Sequence, residues 1–179
     1  MGKAEREKGK RFERDVANWL KKNGFEKAMR SAQHSGKAGD AADVVGLPGI
    51  HIECKAVERP AVYDWIHQAM RDSSGTGNIP VVIWKQNGKR WLAIMLYWQY
   101  MEMSMNSRDF YHCCVEHKGK KLFPYRWMEE AEEFTKSMEM EYRDPVVLFT
   151  PEENRMPLTI MYADAFMKLY KGGGYHGDL

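Results

Sequence analysis

The segment that most constrains this chain is residues 50–56, IHIECKA. Side chains alternate across a strand, so His51, Glu53 and Lys55 share one face while Ile50, Ile52 and Cys54 share the other. A carboxylate and an ammonium therefore stand side by side in a strand whose opposite face is apolar. The preceding run, residues 41–45, AADVV, carries one charge, Asp43. Pro48-Gly49 offers a tight turn, which predicts two strands over residues 41–47 and 50–56. Charged groups in strands this apolar are uncommon unless they are paired or bound to metal. Two carboxylates brought together raise each other's pKa, and a divalent cation reverses that penalty. Oxygen-only ligands favour Mg²⁺ or Mn²⁺ over zinc.

A third carboxylate follows the same logic. Phe12, Val16, Trp19 and Leu20 recur at helical spacing before Gly24, which predicts a helix over residues 10–23. At ~100° per residue, Glu13 falls inside the apolar arc of that helix. Lys10, Arg11, Arg14, Asp15, Lys21 and Lys22 fall outside it, so Glu13 is expected to point at the sheet. The alternative for these charges is a buried ion pair, for instance with Lys55.

The remaining signals place a strand at residues 25–31, a polar loop at 32–39 and a helix at 60–72, opened by Pro60. Strands at 80–85 and 90–96 flank Asn87-Gly88, a strong hairpin signal. Helix, strands, helix, strands is the order of an α/β fold with a central mixed sheet flanked by helices. Further on, PVVLF at 145–149 echoes PVVIW at 80–84, and RMPLTIM at 155–161 resembles RWLAIM at 90–95. Trp127 echoes Trp65 near the start of a helix, and Glu116-His117-Lys118 faintly echoes Glu53-Cys54-Lys55. A partial duplication and chance likeness between short β-branched strands both fit these echoes. The expected division is a core at residues 1–100, a C-terminal α/β extension at 101–170 and a flexible tail at 171–179.

Charge is unevenly spread. Residues 1–40 hold eleven Lys/Arg against six Asp/Glu, whereas residues 127–142 hold six glutamates and one lysine. A polyanion is expected on the N-terminal side, away from that acidic helix. The longest apolar uncharged stretch, residues 91–101, is far short of the ~20 needed to span a bilayer. The first residues lack the apolar core of a secretion signal. Three cysteines, Cys54, Cys113 and Cys114, suggest a reducing cytoplasm without a disulfide framework.

The helix KRFERDV (residues 10–16), then Arg30, Ser35 and Gly36, then Asp43, then Glu53-Cys54-Lys55, resembles the PD-(D/E)XK nuclease superfamily. Within it, the chain looks like the archaeal-type and phage Holliday junction resolvases over residues 8–96. The proline of the motif is Ala42 here, and the residues after the hairpin have no counterpart in small archaeal resolvases. The resemblance implies a restriction-endonuclease-like core and a Mg²⁺-dependent endonuclease, with Mn²⁺ able to substitute. Asp43, Glu53, the Cys54 backbone carbonyl and Glu13 would hold the metal. Lys55 would orient the attacking water, and the products would carry 5′-phosphate and 3′-hydroxyl ends. Arg30, Ser35 and Lys37 would contact phosphate near the cut; Lys8, Lys10 and Arg11 would add duplex contacts. Gln68 matches a position that carries a functional glutamine in related nucleases, although it lies off the apolar stripe of its helix.

The expected substrate is branched duplex DNA, cut by a homodimer, because a four-way junction is roughly two-fold symmetric and needs paired cuts. Two rivals remain: a repair or restriction nuclease acting on linear, flap or end substrates, and a non-catalytic DNA-binding protein on the same fold. His112, Cys113, Cys114 and His117 offer soft ligands, but their spacing matches no structural zinc pattern.

Overall fold

The computed structural model describes residues 2–31, 41–107, 110–140, 142–152 and 154–172. It divides into two compact units, the first reaching to Trp91 and the second starting at Leu92. Together they make a mixed α/β protein of eight strands and five helices among the described residues.

The first unit runs α1 (Lys3–Lys22), β1 (Met29–Arg30), β2 (Val44–Val45), β3 (Ile50–Ala56), α2 (Val62–Asp72) and β4 (Ile79–Lys85). Its strands lie in the order β1-β2-β3-β4. β2 is antiparallel to both β1 and β3, while β3 and β4 are parallel, joined by the α2 crossover. Glu53 sits opposite Val82 and Lys55 opposite Trp84. β3 matches its expected bounds, since its alternation admits no other register.

α1 begins at Lys3 rather than residue 10. Its added turns are charged helix formers with no apolar periodicity to betray them, and the Gly2 amide is capped by the Glu5 carboxylate at 3.0 Å. β1 and β2 are shorter than expected. Gly46 ends β2 at φ +100°, where a Cβ would come within 2.6 Å of the Ala28 Cα. The chain on either side still pairs: the Ser31 amide donates to the Asp43 carbonyl and the Asp43 amide to the Ile52 carbonyl, both at 2.9 Å.

Phe12, Val16 and Leu20 of α1 are buried with Ile52, Ile66 and residues 81–84. Trp84 donates its indole N–H to the Val57 carbonyl at 2.9 Å. Phe12 meets Trp91 edge-on at 5.1 Å, and Lys85 Nζ lies 4.7 Å over the Phe12 ring. Gly88 adopts φ +70° in the expected turn, with the Lys89 amide bonded to the Gln86 carbonyl.

The second unit runs β5 (Leu92–Leu96), α3 (Tyr97–Asn106), β6 (His112–Gly119), α4 (Pro124–Ser137), β7 (Asp144–Pro151), β8 (Leu158–Tyr162) and α5 (Ala163–Gly172). Its strand order is β5-β8-β7-β6, with β6 and β7 parallel around α4. α3 carries little helical contrast to read, whereas α5 exposes Asp164, Lys168 and Lys171 along one stripe. α3 is aromatic and methionine-rich, and α5 buries Phe166, Met167, Leu169 and Tyr170. Lys171 and Gly172, expected in the tail, close α5; residues 173–179 lie outside the described residues. Cys54, Cys113 and Cys114 are free thiols. Among the described residues no helix is long and apolar enough to cross a membrane.

Candidate active site

β3 presents His51, Glu53 and Lys55 on one face, as alternation requires. His51 and Glu53 are buried, Lys55 partly so. Lys55 Nζ donates to Glu53 Oε1 at 2.5 Å and to Gln68 Oε1 at 3.1 Å. α2 runs back over this face. Alternate strand residues are about 6.6 Å apart and residues four apart on a helix about 6 Å, so the two ladders keep step. Lys55 meets Gln68, and one helical turn on, Asp72 meets Glu53 and His51. Ligand atoms of His51, Glu53 and Asp72 all lie within 4.8 Å of one another.

Asp43 enters from the neighbouring strand edge. Its Oδ2 accepts the Cys54 backbone N–H at 2.8 Å, which fixes the carboxylate beside β3. Burial, then the charge of Glu53, pushes the Asp43 carboxyl up to about 7, with Glu13 adding to the rise and the Cys54 amide and Lys55 opposing it. Burial also raises Glu53, against the hydrogen bond and charge of Lys55, and Asp72 and Glu13 push the same way. The Cys54 thiol is pushed well above its ordinary range by burial and by Asp43, so it is no nucleophile.

Glu13 faces the sheet, only 13% of its side chain exposed, and its Oε2 accepts from Arg30 Nε. The ion pair expected as an alternative therefore exists, but its cation comes from β1, while Lys55 pairs with Glu53. Of the other expected DNA contacts, Lys8 pairs with Glu58 at 3.1 Å and Lys10 with Glu7 at 3.2 Å, while Arg11 is exposed. Ser35 and Lys37 lie outside the described residues. Gln68 is half-buried and bonded to Lys55 rather than turned to solvent.

His51 and Asp72 were not among the expected site residues. The signal for Asp72 was available: Gln68 and Asp72 are one helical turn apart on α2, so a helix that brings Gln68 to Lys55 also brings Asp72 to the carboxylates.

The donor chemistry fits a divalent cation. Asp43 and Glu53 repel one another in a buried setting, and Glu53 Oε2 is buried with no hydrogen-bond partner among the described residues. A cation would satisfy that oxygen and cancel the repulsion.

A family model described as "Phage putative PDDEXK endonuclease" matches residues 4–144. The chain belongs to this family. PD-(D/E)XK nucleases are metal-dependent, in keeping with the cluster of His51, Glu53 and Asp72 in this endonuclease. Among solved structures, this PD-(D/E)XK endonuclease is similar to a Holliday junction resolvase from the archaeal hyperthermophile Archaeoglobus fulgidus. The two are 30% identical over 46% of this chain and 72% of that chain, with a TM-score of 0.38. No curated protein matches it.

Proposed function

We propose that the chain is a Mg²⁺-dependent DNA endonuclease that resolves four-way junctions by paired nicks, with Mn²⁺ able to substitute. The observation that carries the chemistry is the repelling pair Asp43 and Glu53 beside Lys55. Asp43, Glu53, Glu13 and the Cys54 carbonyl would hold the metal, with Asp72 and His51 beside Glu53 as further donors. A bound divalent cation supplies Lewis-acid charge at the phosphate and a water of lowered pKa. Lys55, steadied by Gln68, orients the attacking water and stabilises the charge that develops on phosphorus-bound oxygen. Arg30, Ser35 and Lys37 hold the phosphates next to the cut, and Lys8, Lys10 and Arg11 hold the flanking duplex.

The order of motifs, helix glutamate, Asp strand and Glu-x-Lys strand, supports the nuclease chemistry, and the likeness of residues 8–96 to archaeal-type and phage Holliday junction resolvases supports a junction substrate. One carboxylate cluster is found among the described residues, so paired nicks take two copies of the chain, and we infer a homodimer. In this reading residues 1–100 are the nuclease core and residues 101–170 an extension. The protein works in recombination or repair in the cytoplasm of a prokaryotic or phage-infected cell. A labelled four-way junction and its matching linear duplex, incubated with Mg²⁺ or EDTA, test the substrate. Paired nicks in the junction alone are expected; equal cutting of both favours the linear, flap or end nuclease, and no cutting favours the DNA-binding protein. Sedimentation at micromolar concentration tests the dimer, which a monomer contradicts.

A further inference from the structure

From β3 onward the chain states the same series of elements twice. β3, α2, β4, β5 and α3 are followed by β6, α4, β7, β8 and α5, and in each series the first two strands are parallel around the first helix. β6 starts as far after β3 as α4 starts after α2: Ile50 to His112, Val62 to Pro124. At that offset Trp65 corresponds to Trp127. Each packs on an aromatic ring of the second parallel strand, Trp65 on Trp84 at 5.5 Å and Trp127 on Phe149 at 5.1 Å. Lys55, opposite Trp84, corresponds to His117, opposite Phe149. The contact of Lys55 with Gln68 recurs as that of His117 Nε2 with Glu130 Oε2, at 3.7 Å. Within the second unit, β5 and β8 pair antiparallel with Ile94 opposite Ile160 and Leu92 opposite Tyr162. Ile94 and Ile160, the middle residues of the two strands, thus lie opposite each other.

This register corrects the echo seen in the sequence. Glu116-His117-Lys118 is one residue out of step with Glu53-Cys54-Lys55; Glu53 corresponds to Val115. His51 and Asp72 correspond to Cys113 and Phe134, so the second series lacks the carboxylates of the first. In their stead, around His117 and Glu130, lies a cleft of about 650 Å³ at the C-terminal end of β6 and the N-terminal end of α4. Lys118, Lys120, Lys121 and Arg126 line it. The first three are exposed and form no ion pair among the described residues. Its two carboxylates are Glu130, which Arg126 Nε engages at 2.8 Å, and Glu152. His117 stacks on Trp127 at 4.4 Å, and Phe123 at the rim is 48% exposed. Cations around a helix N-terminus suit a polyanion, and an exposed aromatic ring beside them suits a base.

We propose that the second series is a catalytically silent copy of the nuclease half-fold, and that its cleft binds the backbone of a DNA strand belonging to the substrate. The proposal rests on the nuclease reading. The acidic positions of α4 were expected to repel DNA from this helix; of them Glu130 lines the cleft, and there it and Glu152 face Lys118, Lys120, Lys121 and Arg126.

The test is fluorescence anisotropy of the full chain with a labelled branched DNA in EDTA, so that nothing is cut, over a range of salt. In Lys120→Glu/Lys121→Glu the Kd is expected to rise about ten-fold and the salt slope to become shallower by about two. Phe123→Ala removes a ring and no charge, and is expected to weaken binding about five-fold with the slope unchanged. Metal-dependent cutting of the branched DNA itself, at saturating DNA, should keep its rate in both variants. An unaltered Kd and slope in the lysine variant overturn the proposal. Failure of the unaltered chain to cut any DNA would sink the nuclease reading instead, and the binding comparison would still decide this one.

Discussion

Gln68 Oε1 accepts a 3.1 Å hydrogen bond from Lys55 Nζ, while Glu53 Oε1 holds the same ammonium from the other side. The ammonium is thereby aimed by one neutral and one charged partner. Supports of this kind typically matter ten- to a hundred-fold in activity. Gln68→Ala is expected to lower kcat about ten-fold while changing DNA affinity little, and Gln68→Glu to lower it further by drawing Lys55 off Glu53. Single-turnover cleavage alongside a binding titration checks this; an equal loss in Kd would mean that Gln68 contacts DNA.

Asp43 makes the metal-free protein sensitive to pH. Its carboxyl titrates near 3.8 ordinarily and at about 7 in the fold. Between those values the folded state holds a proton that the unfolded chain has lost. Stability therefore falls as pH rises from about 4 to about 7, by on the order of 2–4 kcal/mol, and levels off above. Asp43→Asn keeps an oxygen for the Cys54 amide and removes the charge, so it should flatten this slope and raise the Tm at pH 8 in EDTA. Parallel melts at pH 5 and pH 8 decide the matter. A wild type relatively more stable at pH 8 than the variant would contradict it.

Asp72 and His51 tell on metal preference. An imidazole beside carboxylates suits Mn²⁺ better than Mg²⁺. Asp72→Asn is expected to weaken Mn²⁺ binding about ten-fold, read by calorimetry, and to leave the melting curve in EDTA level or higher. Unchanged Mn²⁺ affinity would remove Asp72 from the site.

Gly46→Ala should be costly although the residue is far from the chemistry. The new Cβ would meet the Ala28 backbone at a φ that alanine rarely adopts. A loss of about 2 kcal/mol or more is expected in denaturant unfolding. Activity should fall too, since β1 and β2 carry Arg30 and lead from Asp43.

The legible parts of this chain were those where a period fixes an orientation. Alternation in residues 50–56 gave the shared face of Glu53 and Lys55, and the helical arc of α1 turned Glu13 inward. Pairings between distant elements were not legible. Nothing local says that Arg30 reaches Glu13, or that α2 lies across β3 so as to lay Gln68 on Lys55. The likeness of Glu116-His117-Lys118 to Glu53-Cys54-Lys55 misled by one residue, because register is set by strand pairing and not by resemblance. α3 escaped because its apolar side chains surround the helix and leave no clear stripe.

The most direct measurement is cleavage of a labelled four-way junction by the unaltered chain, Glu53→Gln and Lys55→Ala, each with Mg²⁺ and with EDTA. Mg²⁺-dependent nicks that leave 5′-phosphate ends, at least a hundred-fold slower in both variants, are the predicted result. Cutting that persists in EDTA, or that survives Glu53→Gln, would contradict a metal-dependent site built on Asp43, Glu53 and Lys55.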